Sequence, residues 1–134
     1  MKPVHRWKKN IYQTIEEIAS KEYQEKAWLG KLEGVMSSPD ELMLNLLEDF
    51  YFDEFLDSEE IGLNDQQKQA GKYLLKKVDE YYDNSPIFPI PEEVLSDPGW
   101  HEIRNMAKNV LHICQVQGHY FSISDYVAHK KDIS

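Results

Sequence analysis

The chain has little of what holds a small protein together covalently. Its 134 residues contain one cysteine, Cys114, so no internal disulfide framework can form. A reducing compartment is the simpler setting for such a chain. No apolar run approaches the roughly 18 residues that cross a bilayer. The basic start, Met1-Lys-Pro-Val-His-Arg-Trp-Lys-Lys, is followed by no apolar stretch. That predicts no signal peptide and a cytoplasmic protein. A chain of this length is close to one ordinary domain and can bury roughly two-thirds of its unfolded surface. It therefore needs no metal to fold. Residues 1–134 are expected to form a single domain with loose ends at 1–4 and 130–134.

Recognisable catalytic groupings are also missing. His101-Glu102 opens like a zinc-protease helix, but Asn105 stands where the second His belongs. His101 and His112 lie about 16 Å apart along a helix axis, too far to share one metal. Asp49, Asp53 and Asp57 recur every four residues. A calcium loop needs oxygen ligands at alternate positions and a central glycine, whereas Phe50, Phe52 and Phe55 intervene here. Cys114 falls on an apolar stripe with Val110 and Leu111, where a thiol is poorly reactive. There is no phosphate loop and no nucleophile elbow. The expectation is a protein that is not an enzyme and uses no metal or cofactor.

What the chain does have is acid in one place. Residues 32–67 carry eleven Asp and Glu and no Lys, Arg or His, whereas residues 1–31 carry seven Lys and Arg against four acids. The formal net charge of the whole chain is −9. Nucleic-acid affinity comes mainly from cations neutralising phosphates, so the balance argues against direct nucleic-acid binding. It suits a basic protein partner, or a solvated face that aids solubility.

Helical periodicity runs through most of the sequence. Trp7, Ile11, Ile15, Ile18 and Ala19 predict a first helix from Val4 to Trp28, with a bend or restart near Ser20. Gly30 and Gly34 bracket its end. Ser38-Pro39-Asp40-Glu41 is a strong helix start: Ser38 can cap, Pro39 fits the first position, and Glu41 completes a capping box. The second helix is expected to continue unbroken through Leu56. A third starts at Asn64, with Gln67 closing a similar box, and runs to Asp83-Asn84-Ser85-Pro86. Its inner stripe is Leu74, Val78 and Tyr81, with Lys76 and Glu80 paired four residues apart. Three prolines between residues 86 and 91 forbid a helix there. That loop is apolar, so it is expected to pack along the body, with a helical turn at Pro91–Leu95 beyond it. A last long helix opens at Ser96-Asp97-Pro98 and runs to Gln117. Its core face is Trp100, Ile103, Ala107, Val110, Leu111 and Cys114. A short helix is expected at Ser124–His129. With no strand signal, the prediction is an all-α bundle of about four main helices plus short helical turns and no significant sheet.

The second helix is apolar almost all the way round. Met43, Leu46, Leu47 and Phe50 fall on one side; Leu44, Phe52 and Phe55 point roughly the other way, with Glu48 among them. Either the helix is central and covered on two sides, or one face awaits a partner. In the second case Phe52 and Phe55 are aromatic anchors. Glu48, Asp49, Asp53, Asp57, Glu59 and Glu60 then form an acidic rim that steers a basic partner. These eight residues are the candidate partner-binding set. A cationic nuclease cleft, built for phosphate, is a natural target for them.

The strings Trp28-Leu-Gly-Lys-Leu-Glu-Gly34, Ser37-Ser-Pro-Asp-Glu-Leu42 and Leu47-Glu-Asp-Phe-Tyr-Phe-Asp-Glu-Phe55 resemble the small acidic immunity proteins of bacterial contact-dependent growth inhibition and related polymorphic toxin systems. The resemblance spans about residues 28–82. It implies a bacterial, cytoplasmic, non-enzymatic protein that binds the toxic C-terminal domain of a cognate effector, often a nuclease, and blocks its active site or a nearby surface. It carries over no contact residues, and it leaves the oligomeric state open. The alternative is an acidic helical adaptor or regulatory module for a basic protein or peptide.

Overall fold

Seven α-helices and one π turn follow one another along the chain in the computed structural model, which describes residues 4–31 and 37–114. No strand occurs among the described residues, so the all-α expectation holds. The end of the last helix at Gln117, the short helix at Ser124–His129, Gly34 and residues 130–134 lie outside the described residues.

The first predicted helix is two. α1 covers Val4–Ala19 and α2 covers Lys21–Trp28. The restart falls at Ser20, whose hydroxyl accepts from the Tyr23 backbone N–H at 3.0 Å. Such a cap satisfies a donor that the helix start leaves orphaned.

α3, Pro39–Leu44, begins where the sequence placed it. The Ser38 hydroxyl accepts from the Glu41 N–H, and Pro39 occupies the first turn. The expected unbroken helix to Leu56 does not form. α3 runs into a π turn at Asn45–Asp49, where the Phe50 N–H reaches back five residues to the Asn45 carbonyl at 3.0 Å. Tyr51 then adopts the left-handed region (φ 54°, ψ 53°), and a separate α4 spans Phe52–Asp57. A non-glycine residue in that region is unfavourable by roughly 1–2 kcal/mol. Tertiary contacts hold it there: the Trp7 indole N–H donates to the Phe50 carbonyl at 2.7 Å. Phe55 stacks edge-on to Trp7 and Tyr12, with ring centroids 5.4 and 5.6 Å away.

α5, Asp65–Asp83, opens with the expected reciprocal box. Asn64 Oδ1 accepts from the Gln67 N–H, and Gln67 Oε1 accepts from the Asn64 N–H, both at 2.8 Å. Leu74 and Val78 are buried and Tyr81 is half-buried. Lys77 Nζ, not Lys76, lies 3.6 Å from Glu80. Gly71 sits where a Cβ would overlap the Leu56 side chain, so its bareness lets α4 lie close against α5. α6 spans Pro91–Ser96 and α7 spans Pro98–Ile113, the latter capped by Asp97 Oδ1 accepting from the Gly99 N–H at 2.9 Å.

α7 packs between α1 and α5, and one buried cluster links every helix. Trp100 sits fully buried at its centre, its ring 5.3 Å from Tyr81 and 6.0 Å from Trp28. Two polar residues share that interior. Gln24 Oε1 accepts from the Trp100 indole at 2.9 Å, and Arg104 Nη2 donates to the Leu95 carbonyl at 3.2 Å. Burial pulls the Arg104 guanidinium below its usual range, and Glu25 opposes that pull.

Glu17 makes the fold sensitive to pH. Burial pushes its carboxyl up to about 7 from an ordinary 4.5; adjacent Glu16 adds to the rise and a hydrogen bond with Tyr23 opposes it. The folded chain thus keeps a proton that the unfolded chain has already released. The stability from this proton is fully present below pH 4.5 and is lost as pH rises to about 7. A thermal melt series across that window should show falling midpoints. Glu17→Gln should flatten the decline, and an identical slope in both proteins would show that another group titrates.

Candidate protein-binding surface

The break at Tyr51 decides which of the eight candidate residues face outward. Without it, one straight helix would place Phe52 and Phe55 opposite Leu46. With it, the chain turns and both faces find cover. Phe52 and Phe55 are each 1% exposed, while Glu48, Asp49, Asp53, Asp57, Glu59 and Glu60 are all exposed. The two phenylalanines are core residues, which corrects the expectation that they anchor a partner. Their rings lie 6.2 Å apart under α4, and the acids stand above them.

Two of these acids, Glu48 and Asp53, line a shallow groove; Asp49, Asp57, Glu59 and Glu60 lie outside it. The π turn and α4 form one wall and α5 the other, enclosing about 500 Å³. Glu48 and Asp53 come from the first wall; Asp79 and Asp83 come from α5. Leu47, Leu75 and Tyr82 form an apolar floor, and Lys72 and Lys76 enter from α5. Lys72 Nζ lies 3.0 Å from Asp57, with both side chains more than half exposed. An ion pair so open to water contributes little stability. Four carboxylates against two lysines leave the groove negative.

A second exposed feature follows α5. The expectation that the Pro-rich loop packs along the body is wrong for most of its length. Pro89 is buried, but Ile87 is 85% exposed, Phe88 82% and Ile90 50%. The loop behaves as a strap held at both ends. The Ser85 hydroxyl donates to the Tyr81 carbonyl at 2.6 Å, and Asn84 Nδ2 donates to the Glu80 carbonyl at 2.8 Å. At the far end Ile90 and Pro91 begin α6. A cavity of about 210 Å³ lies between the strap, Tyr81 and Val94. The Tyr81 hydroxyl donates to Asp97 Oδ2 at 2.8 Å, and burial together with that bond raises its pKa. The sequence shows the apolar residues of the strap but carries no local signal for their outward direction.

The other groups considered for chemistry are dispersed. His101 and His112 are exposed on α7. Cys114 packs against the core, and burial pushes its thiol up, with a Tyr12 hydrogen bond opposing. Among the described residues no three His, Cys, Asp or Glu side chains gather to hold a metal ion. Among them also, no helix is long and apolar enough to cross a membrane. Comparison with protein-family models, with curated proteins and with solved structures finds no match.

Proposed function

We propose that this chain is a toxin-immunity protein, which binds a cognate basic toxin domain in the cytoplasm and neutralises it by stoichiometric occlusion. The observation that carries the reading is the acidic groove, where Glu48 and Asp53 face Asp79 and Asp83 across an apolar floor. A nuclease-type domain is the partner that fits best. Its cleft must be cationic to hold phosphate, and a rigid array of carboxylates can occupy the same positions. The tightly packed aromatic residues under α4 support this, because a rigid mount loses little entropy on binding. Steering by the groove should bring association above the ordinary 10⁵–10⁶ M⁻¹s⁻¹ range of uncharged interfaces.

Charge reversal at Glu48, Asp49 and Asp53 tests the surface directly. These side chains are exposed, so the fold should tolerate the change. Stopped-flow mixing with the toxin domain encoded beside this chain should show association slowed by about tenfold or more at low salt, with a flatter salt dependence. An unchanged on-rate would remove the groove from the interface. Co-expression with that toxin should protect cells, and failure to protect or to associate would sink the immunity reading. The same groove would suit a basic peptide bound by an adaptor. In that case the chain would bind cationic peptides yet leave toxin-exposed cells unprotected.

A further inference from the structure

We propose that the strap 84–90 is a second docking surface, whose occupant is a cationic amphipathic protein segment whose apolar side covers Ile87 and Phe88. The inference deepens the reading of the chain as a binder of a basic protein, and it rests on that reading only for the partner's identity.

Ile87 and Phe88 together expose on the order of 300 Å² of apolar surface. The folded domain gains nothing from holding them in water, and adjacent large side chains of this kind are typical interface anchors. Their mount is stiff. Pro86, Pro89 and Pro91 restrict the backbone. Buried Pro89 pins the far end just after Phe88, and Asn84 and Ser85 tie the near end to the last turn of α5. A stiff apolar strap loses little freedom when it docks.

The surrounding charge selects the occupant. From Val78 to Trp100 the chain carries Asp79, Glu80, Asp83, Glu92, Glu93 and Asp97, and no Lys, Arg or His. The first three sit on α5 before the strap, where Lys77 lies 3.6 Å from Glu80 and offsets it; Asp79 and Asp83 there, and Glu92 and Glu93 at the start of α6 after the strap, are all exposed and supply the negative charge. A second copy of this chain would bring the same negative ring against itself. An anionic lipid surface would be repelled in the same way. A cationic surface is attracted on both sides of the apolar pair. Asp79 and Asp83 also line the acidic groove, so the groove reaches the end of α5 from which the strap departs.

The test uses the full chain with labelled isoleucine δ1-methyl groups and an 18-residue Leu/Lys amphipathic helix as the cationic probe. The Leu/Glu counterpart is the control. The Ile87 and Ile90 methyl resonances should shift on titration with the cationic probe, while those of buried Ile11 and Ile15 stay in place. The double variant Ile87→Ser with Phe88→Ser should weaken binding by about tenfold or more. Its melting temperature should match the parent's, because both side chains are exposed. Unmoved strap methyls, unweakened binding by the double variant, or equal binding of the Leu/Glu peptide would overturn the proposal. So would a dimer of the parent chain that the double variant dissolves. A chain that binds the cationic probe through the strap yet fails to protect against the neighbouring toxin would overturn the immunity reading and leave the docking surface standing.

Discussion

Phe55→Ala should lower the stability of the folded chain by about 3–5 kcal/mol, measured by chemical denaturation. Phe55 is 1% exposed and sits edge-on to Trp7 and Tyr12, 5.4 and 5.6 Å between centroids. Its removal leaves a cavity and takes away two favourable ring contacts, each worth about 0.5–1.5 kcal/mol beyond area burial. α4 has only six residues, too few to be stable alone, so its packing onto α5 and the Phe55 contacts to α1 keep it helical. The left-handed Tyr51 lies between the Phe50 carbonyl held by Trp7 and the start of α4, so it depends on the same contacts. For a domain whose total stability is about 5–15 kcal/mol, the loss is a large fraction. A change below about 1 kcal/mol would mean that Phe55 is not core. The variant also separates structure from recognition: the molecules that remain folded should associate with a partner at the parent's rate, since the exposed acids are untouched.

Gln24→Leu should be comparably damaging, at about 3–5 kcal/mol, although it replaces a polar residue by an apolar one of similar size. Gln24 is wholly buried. Its amide nitrogen donates to the Glu17 and Ile18 carbonyls at 2.9 and 2.7 Å. Those carbonyls belong to the last turn of α1, where the break at Ser20 ends the helical ladder and the Glu17 carbonyl keeps only a 3.4 Å bond from the Ser20 N–H. Its amide oxygen accepts from Trp100 at 2.9 Å and from Arg104 at 3.5 Å. One side chain therefore satisfies acceptors on α1 and donors on α7. Leucine would strand the Ile18 carbonyl, an indole N–H and part of a buried guanidinium, and would leave the Glu17 carbonyl only the 3.4 Å bond from the Ser20 N–H. Gln24→Glu should also destabilise at neutral pH, because a carboxylate cannot donate to the two carbonyls. A Gln24→Leu protein as stable as the parent would show that the interior rearranges to satisfy these groups.

The two residues illustrate how unevenly the fold is legible. Each feature read correctly from sequence is a signal acting within about four residues. Ser20, Ser38 and Asn64 accept from backbone N–H groups three positions on, and Asp97 accepts from one two positions on. The stripe from Trp100 through Val110 is a period of one helix. Gln24 and Arg104 carry no such mark. They look like surface residues of amphipathic helices, and only the meeting of α1, α2, α6 and α7 makes them interior.

The candidate surface divides in the same way. Leu47-Glu-Asp-Phe-Tyr-Phe-Asp-Glu-Phe55 contains no glycine or proline, so local propensity favours a continuous helix. The Trp7 indole, 43 positions from Phe50 in the chain, captures its carbonyl and stabilises the turn instead. That single long-range bond and the Phe55 packing hide two aromatic residues that otherwise read as partner anchors. The reverse happens in the strap, where residues expected to pack inward are held in water.

The sequence alone determined the helical class, the capped starts of α2, α3, α5 and α7, and the concentration of acid without neighbouring cations. Those properties depend on composition and on hydrogen bonds between close neighbours. The tertiary structure alone decided which apolar groups are core and which are surface. A segment apolar on two sides has no preferred inside until distant parts of the chain arrive to cover it. Long-range contacts set that choice here, burying Phe52 and Phe55 and leaving Ile87 and Phe88 outside.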